Sequence, residues 1–221
     1  YDTNSYTKTF EPTLYVHSSN TGESLRGYIG YQSNINAIIV SFRGSEDINN
    51  WITNLAAIRV SYDKCSGCSA HSGFLSAATS LYPQVQPEVA RLASQHTSAT
   101  IVVTGHSLGA ALATLTALNL IDDHGSKVKL YNYGCPRIFN QAAADWASSG
   151  VLNIGARRTH YKDLVVHSPP YSLGFVHTSG EIWENGPMSN YPNWPGGPLK
   201  DCVGEEDDTC ADQYNVGAVS D

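Results

Sequence analysis

Residues Ile101-Val102-Val103-Thr104-Gly105-His106-Ser107-Leu108-Gly109-Ala110 decide how this chain is read. The short β-branched apolar run predicts a buried strand. Gly105-His106-Ser107-Leu108-Gly109 follows at once and fits the G-x-S-x-G pattern of a nucleophile elbow. Ala110 to Leu120, rich in Ala and Leu, then predicts a helix. The spacing has a chemical reason. A serine on a sharp strand-to-helix turn is held in a strained conformation with its hydroxyl exposed. Glycines on either side let strand and helix pass close together. The free N–H groups at the helix start point to where an oxyanion would form.

The flanking sequence extends this unit into a sheet. Leu14–His17, Leu25–Tyr31 and Ala37–Phe42 predict three early strands at an antiparallel edge. Downstream, Lys129–Tyr133 reads as a strand, Gln141–Ser149 as a helix and Asn153–Thr159 as a strand. That β-α-β alternation predicts a parallel sheet with helices on its faces. In such sheets, sites lie at the carboxyl ends of the strands. The fold class is therefore α/β, as a single domain over residues 1–221. Tyr1 to Pro12 reads as an irregular lead-in. Ser72–His96 reads as a helix that Pro83 and Pro87 are able to break. Beyond Ser168 the Pro- and Gly-rich sequence predicts ordered coil, with a hairpin around Phe175–Trp183.

Between the third strand and the long helix, Ile48, Trp51, Ile52 and Leu55 recur at i, i+3, i+4 and i+7. Glu46–Leu55 is thus a short amphipathic helix with Ser45 as N-cap. Such a helix either docks its apolar stripe permanently on the core or swings to offer Ile48, Trp51 and Ile52 to a lipid surface.

Composition narrows the partners. A chain of 221 residues with 41% hydrophobic and 15% charged residues suits a compact globular protein. A formal charge of -7 leaves no basic footprint for nucleic acid and no electrostatic attraction to anionic lipid. No run approaches the ~18 apolar residues of a membrane span. There are five cysteines. Cys65-Ser66-Gly67-Cys68 is open to three readings: redox motif, half a zinc site or small-loop disulfide. Two local disulfides, Cys65–Cys68 and Cys202–Cys210, with Cys135 as a buried thiol, fit an oxidising compartment. Glu205-Glu206-Asp207-Asp208 reads as a solvated loop inside the second disulfide rather than a calcium site.

Ordered landmarks carry a family resemblance. They run through Val40-Ser41-Phe42-Arg43-Gly44-Ser45, Asn50-Trp51, His71-Ser72-Gly73-Phe74 and the elbow. They continue with Tyr133-Gly134-Cys135-Pro136-Arg137, Asn140, His160-Tyr161-Lys162-Asp163, Pro169-Pro170 and Gly174-Phe175-Val176-His177. The chain resembles the class 3 lipases, the secreted filamentous-fungal α/β-hydrolases that also include feruloyl esterases. The resemblance implies a secreted, monomeric carboxylic ester hydrolase, foremost a triacylglycerol lipase, acting at a lipid–water interface without metal or organic cofactor. It implies Ser107 as nucleophile, Asp163 as triad carboxylate, and Ser45 and Leu108 as oxyanion-hole donors. The helix carrying Ile48, Trp51 and Ile52 corresponds to the lid, and Val165 and Pro169 to the acyl groove. A feruloyl-type or short-chain esterase is the alternative within this chemistry. A catalytically inactive lipid-binding module is the alternative outside it.

Two family features have no counterpart in these residues, an N-terminal helix and a triad histidine after His177. His160 and His167 flank Asp163 too closely to bridge it to another strand. The expectation is that the natural polypeptide continues past Asp221 and that its histidine lies within the next few residues.

Overall fold

A computed structural model describes residues 10–18, 24–186 and 198–214. Its strands are β1 (Phe10–Ser18), β2 (Leu25–Gln32), β3 (Ala37–Phe42), β4 (Arg59–Ser61), β5 (Ser69–His71), β6 (Thr100–His106), β7 (Val128–Tyr133), β8 (Asn153–His160), β9 (Glu181–Glu184) and β10 (Leu199–Asp201). Its helices are α1 (Ile48–Asn54), α2 (Ser72–Gln95), α3 (Leu108–His124) and α4 (Gln141–Trp146). The main sheet has eight strands in the order β1-β2-β3-β6-β7-β8-β9-β10. β1, β2 and β3 pair antiparallel, and β3 through β9 run parallel. β10 closes the far edge antiparallel to β9. This is the expected α/β architecture, with an antiparallel strand at that second edge as well.

The core lies where α3 crosses the sheet. Every residue from Leu108 to Leu118 is buried, so α3 has no polar face. A helix that is apolar all round is buried, and α3 packs on β3, β6 and β7 and against α2, which itself rests on β1, β2 and β3. Close approach is possible because Gly109 lies against the backbone of Phe42 and Arg43; a Cβ there would sit 2.3 Å from the Phe42 carbonyl oxygen.

Several boundaries differ from the sequence expectation, each for a physical reason. α2 runs unbroken through Pro83 and Pro87. Thr79, Pro83 and Pro87 are four residues apart on its exposed face, so the carbonyls the prolines leave unbonded meet water. Ala78, Leu81, Val85, Val89 and Leu92 form the opposite, buried stripe. α1 is shorter than Glu46–Leu55 and its cap is Asp47, not Ser45; the Asp47 side chain accepts the Asn50 N–H at 3.0 Å. Phe10–Pro12 belongs to β1 rather than to a lead-in. Phe175–Trp183 forms no hairpin. Val176 instead bridges Phe139, and β9 adds to the main sheet beside β8. A buried pair, Arg157 with Glu181 at 3.2 Å, ties β9 to β8. Trp183 is buried and donates through Nε1 to the Tyr161 carbonyl at 3.2 Å. Within the Pro- and Gly-rich stretch, Pro192 and Pro195-Gly196-Gly197 lie outside the described residues.

Both expected disulfides form, Cys65–Cys68 and Cys202–Cys210, and Cys135 is a buried free thiol. Among the described residues no helix is long and apolar enough to cross a membrane.

Three buried histidines are held neutral. Burial lowers His71; burial, then the Arg157 and Arg137 charges, lowers His177 well below 6.5. Burial, with the Arg137 charge adding, takes His167 to about 4. An unfolded chain binds protons at these positions near pH 6.5 that the folded chain refuses. Their contribution to stability is therefore present above about pH 6.5 and is lost as pH falls toward 4. The melting temperature is expected to drop steadily from pH 7 to pH 4.5. A melting temperature constant across that window would contradict the buried, neutral state of these rings.

Candidate active site

The site begins where β6 hands over to α3. Ser107 sits between them at φ 56°, ψ -126°, a left-handed backbone that a non-glycine residue seldom adopts. Two contacts enforce it. Ser107 N–H donates to the Tyr133 carbonyl at the end of β7, at 3.0 Å. A Cβ on Gly105 would lie 2.2 Å from the Gly109 carbonyl oxygen, so the turn closes only around a glycine. The serine hydroxyl is not exposed as the motif alone predicts. Ser107 is 0% exposed and its Oγ has no hydrogen-bond partner among the described residues. A buried, unpaired hydroxyl is unfavourable, so the arrangement is one that a bound partner would complete.

The backbone after β3 closes over this serine. Gly44 packs so tightly that a Cβ there would stand 2.7 Å from the His106 carbonyl oxygen and 3.3 Å from Ser107 Cβ. That contact brings Ser45 beside the elbow, and Ser45 and Leu108 line one cleft of about 620 Å³. Leu108 is the first residue of α3, where the helix has no internal acceptor for its N–H. A helix-start N–H of this kind, on the cleft that Ser45 also lines, suits a developing oxyanion. The role of Gly44 was missed from sequence. Its signal was only a glycine two residues after a predicted strand.

The other wall of the cleft is α1 and the start of α2. Trp51 is buried and stacks on Phe74 with ring centroids 5.9 Å apart. Ile48 and Ile52 are half-buried against the core. His71, another residue missed from sequence, caps α2 by accepting the Phe74 N–H on Nδ1 and lies on the cleft wall.

Asp163 stands in the turn after β8. Its Oδ1 accepts the Val165 N–H at 2.9 Å. Its Oδ2 would lie 2.9 Å from a Cβ on Gly134, and His106 Nε2 3.2 Å from the same point. Gly134, at φ 54° directly after β7, therefore keeps the space beside the carboxylate open. The fold thus gathers Ser107, Asp163, Ser45 and Leu108 at the carboxyl ends of β3, β6, β7 and β8. Val165 and Pro169 are buried beneath the Asp163 turn and are not among the residues lining the cleft. His160 and His167 do not bond Ser107. His167 is buried, with Nδ1 3.8 Å from Asp212.

Residues 39–173 match the family model of the class 3 lipases. The chain belongs to the class 3 lipases. It is 35% identical over 173 residues to the secreted mono- and diacylglycerol lipase A of Penicillium cyclopium, covering 78% of this chain and 56% of that protein. It is 38% identical over 151 residues to a lipase of Rhizomucor miehei, covering 66% and 41% respectively. The fold of the lipase from Rhizopus microsporus var. chinensis superposes with a TM-score of 0.84 at 26% identity, covering 95% of this chain and 71% of that one. A triacylglycerol lipase described as having a serine-protease triad at its catalytic centre superposes with a TM-score of 0.80 at 31% identity, covering 93% and 76%. This chain spans about half the length of the curated relatives it matches.

The acidic loop is only partly the solvated feature that its charge run predicts: Asp208 is exposed, but Glu205, Glu206 and Asp207 are half-buried. Glu206 pairs with the buried Arg137 at 2.8 Å, and Asp207 accepts the Val203 and Thr209 N–H groups. Cys202, Asp207 and Cys210 converge, but both sulfurs are spent in a disulfide and cannot act as metal thiolates.

Proposed function

We propose that this class 3 lipase hydrolyses the carboxylic esters of acylglycerols at a lipid–water interface outside the cell. The observation that carries the reading is the packing of Gly44 on His106 and Ser107, which puts Ser45 and Leu108 on one cleft beside a strained serine. Relatives named as secreted mono- and diacylglycerol lipases, and a similar structure named as a triacylglycerol lipase, support acylglycerols as the substrate class.

Ser107 Oγ attacks the ester carbonyl carbon. An imidazole takes the serine proton and then passes it to the leaving alcohol. Asp163 orients that imidazole and stabilises its charged form. The N–H groups of Ser45 and Leu108 hold the oxyanion, each contributing about 3 kcal/mol to lowering the barrier. Water then releases the acyl group from Ser107. None of the eight histidines is bonded to Ser107 Oγ, which has no hydrogen-bond partner among the described residues, so the imidazole is a role that no described contact fills. The catalytic unit acts as a monomer. A fluorophosphonate probe tests the reading on the natural polypeptide. Labelling at Ser107 supports it, and an unlabelled serine in that polypeptide overturns it.

α1 serves as the lid. With Ser107 fully buried, substrate reaches it when α1 moves off the cleft that it lines. Trp51 leaves Phe74 in that motion and meets lipid, and burial of a large aromatic is worth about 3 kcal/mol in either place. Trp51→Ala is therefore expected to reduce hydrolysis of emulsified long-chain substrate about tenfold, with a smaller effect on a soluble short-chain ester. Equal losses on both substrates mark α1 as a fixed surface helix.

A further inference from the structure

Arg137 lies where three separate segments meet. It follows β7 by four residues, and β7 ends on the carbonyl that holds the Ser107 N–H. Its own N–H donates to the Ser168 carbonyl at 2.9 Å, and its Nη1 reaches the Pro169 carbonyl at 3.5 Å. Those residues close the turn whose first member is Asp163. Its guanidinium grips the disulfide-closed segment 202–214 through three bonds. Nε donates to Glu206 Oε1 at 2.9 Å, and Nη2 donates to Glu206 Oε2 at 2.8 Å and Asp212 Oδ1 at 2.7 Å. Glu206 Oε1 also accepts the His177 N–H at 2.8 Å. The Arg137 side chain is 1% exposed and the two carboxylates are 14% and 18% exposed.

This is more than a clamp on a loop. The buried guanidinium is always charged, and Glu206 and Asp212 offset the cost of its burial. Take the cation away, and two carboxylates face each other in a poorly solvated place. Burial and Glu206 already push the Asp212 carboxyl up. The segment 202–214 would then have to leave, and it is what covers the underside of the Asp163 turn. Val166 in that turn packs in one small core with Trp183, Cys210 and Ala211. His177, fixed through Glu206, bonds the Val166 carbonyl through Nε2 at 2.7 Å.

We propose that Arg137 is the positioning residue of the triad carboxylate: by binding Glu206 and Asp212 it presses segment 202–214 onto the turn 163–169 and so fixes Asp163 for the base. The proposal rests on the hydrolase reading for its kinetic consequence, but not for its structural one. The sequence offers no charge pattern that pairs Arg137 with residues 69 and 75 positions away; only the fold does.

The test compares wild type, Arg137→Met, Arg137→Lys and Glu206→Gln in the natural full-length polypeptide. Hydrogen exchange is followed at the Val165, His167 and Ser168 amides, which bond Asp163 Oδ1, the Leu164 carbonyl and the Val165 carbonyl. In Arg137→Met those amides are expected to exchange faster together with 202–214, while β6 and α3 stay protected. Turnover of a soluble short-chain ester is expected to fall on the order of 100-fold in kcat, with KM within about threefold, because a displaced carboxylate harms the reaction and not substrate binding. Lysine keeps the charge but not the bidentate grip, so Arg137→Lys falls between the two. Should Arg137→Met fail to fold, Glu206→Gln shows the same exchange pattern in weaker form. Faster exchange confined to 202–214 with unchanged kcat overturns the proposal, as does uniform acceleration throughout the chain. If the wild type neither turns over ester nor labels with fluorophosphonate, the hydrolase reading falls, and the exchange pattern alone still decides the role of Arg137.

Discussion

Ser107→Ala in the natural polypeptide is expected to lose ester hydrolysis by on the order of 10⁵-fold or more, leaving the fold unchanged. The loss is large because the Ser107 hydroxyl oxygen is the atom that forms the acyl bond. The oxyanion donors and the cleft remain, so a small residual rate is expected from binding and charge stabilisation alone. The fold is spared because Ser107 Oγ has no hydrogen-bond partner to lose. Removing an unpaired buried hydroxyl leaves stability level or slightly raised. Turnover of a soluble ester and the melting temperature, measured on the same preparation, check both halves. Retained turnover would remove Ser107 from the mechanism. A large drop in melting temperature would show that the hydroxyl has a structural partner.

Gly105→Ala is expected to have the largest effect on stability. An added Cβ would stand 2.2 Å from the Gly109 carbonyl oxygen, 2.3 Å from the Gly109 carbonyl carbon and 2.8 Å from the Ala110 nitrogen. All three are backbone atoms at the start of the central helix. They cannot rotate away as a side chain would, and Gly109 is itself pressed on the Phe42 and Arg43 backbone. Relief requires α3 to move off β6 and β3, which opens the core. A loss of about 4 kcal/mol or more is expected, a large share of the ~5–15 kcal/mol that holds a typical domain together. Denaturant unfolding of the purified variant, or failure to obtain it folded beside a normally yielding wild type, checks this. An unchanged denaturation midpoint would mean that strand and helix are not packed as closely as described.

These two residues also show where local sequence suffices. Gly105 and Ser107 were legible because an elbow is a local object. Five consecutive residues set a strand end, a turn and a helix start, and the turn's geometry dictates which positions tolerate no side chain. The β-α-β alternation and the amphipathic stripe of α1 are local in the same sense, since they depend on period rather than partner. The cap of α1 was misread because Ser45 and Asp47 both suit an N-cap and only backbone direction chooses between them. The prolines of α2 were misread because their effect depends on which face looks outward, which the sequence of one helix does not state.

By itself the sequence determined the α/β order of elements and the elbow with its serine, and it suggested the two short-range disulfides and the candidate roles of Asp163, Ser45 and Leu108. All of these follow from short spacings or from a motif series along the chain. Only the tertiary structure decided what acts across distance. It buried Ser107 by laying Gly44 on it, opened space beside Asp163 through Gly134, and turned part of the acidic loop from a solvated feature into the partner of Arg137. The physical reason is the range of the forces involved. Backbone sterics and hydrophobic period act over a few residues and leave a mark in the local sequence. Close backbone contact and buried ion pairing act between segments whose meeting is set by the packing of the whole sheet.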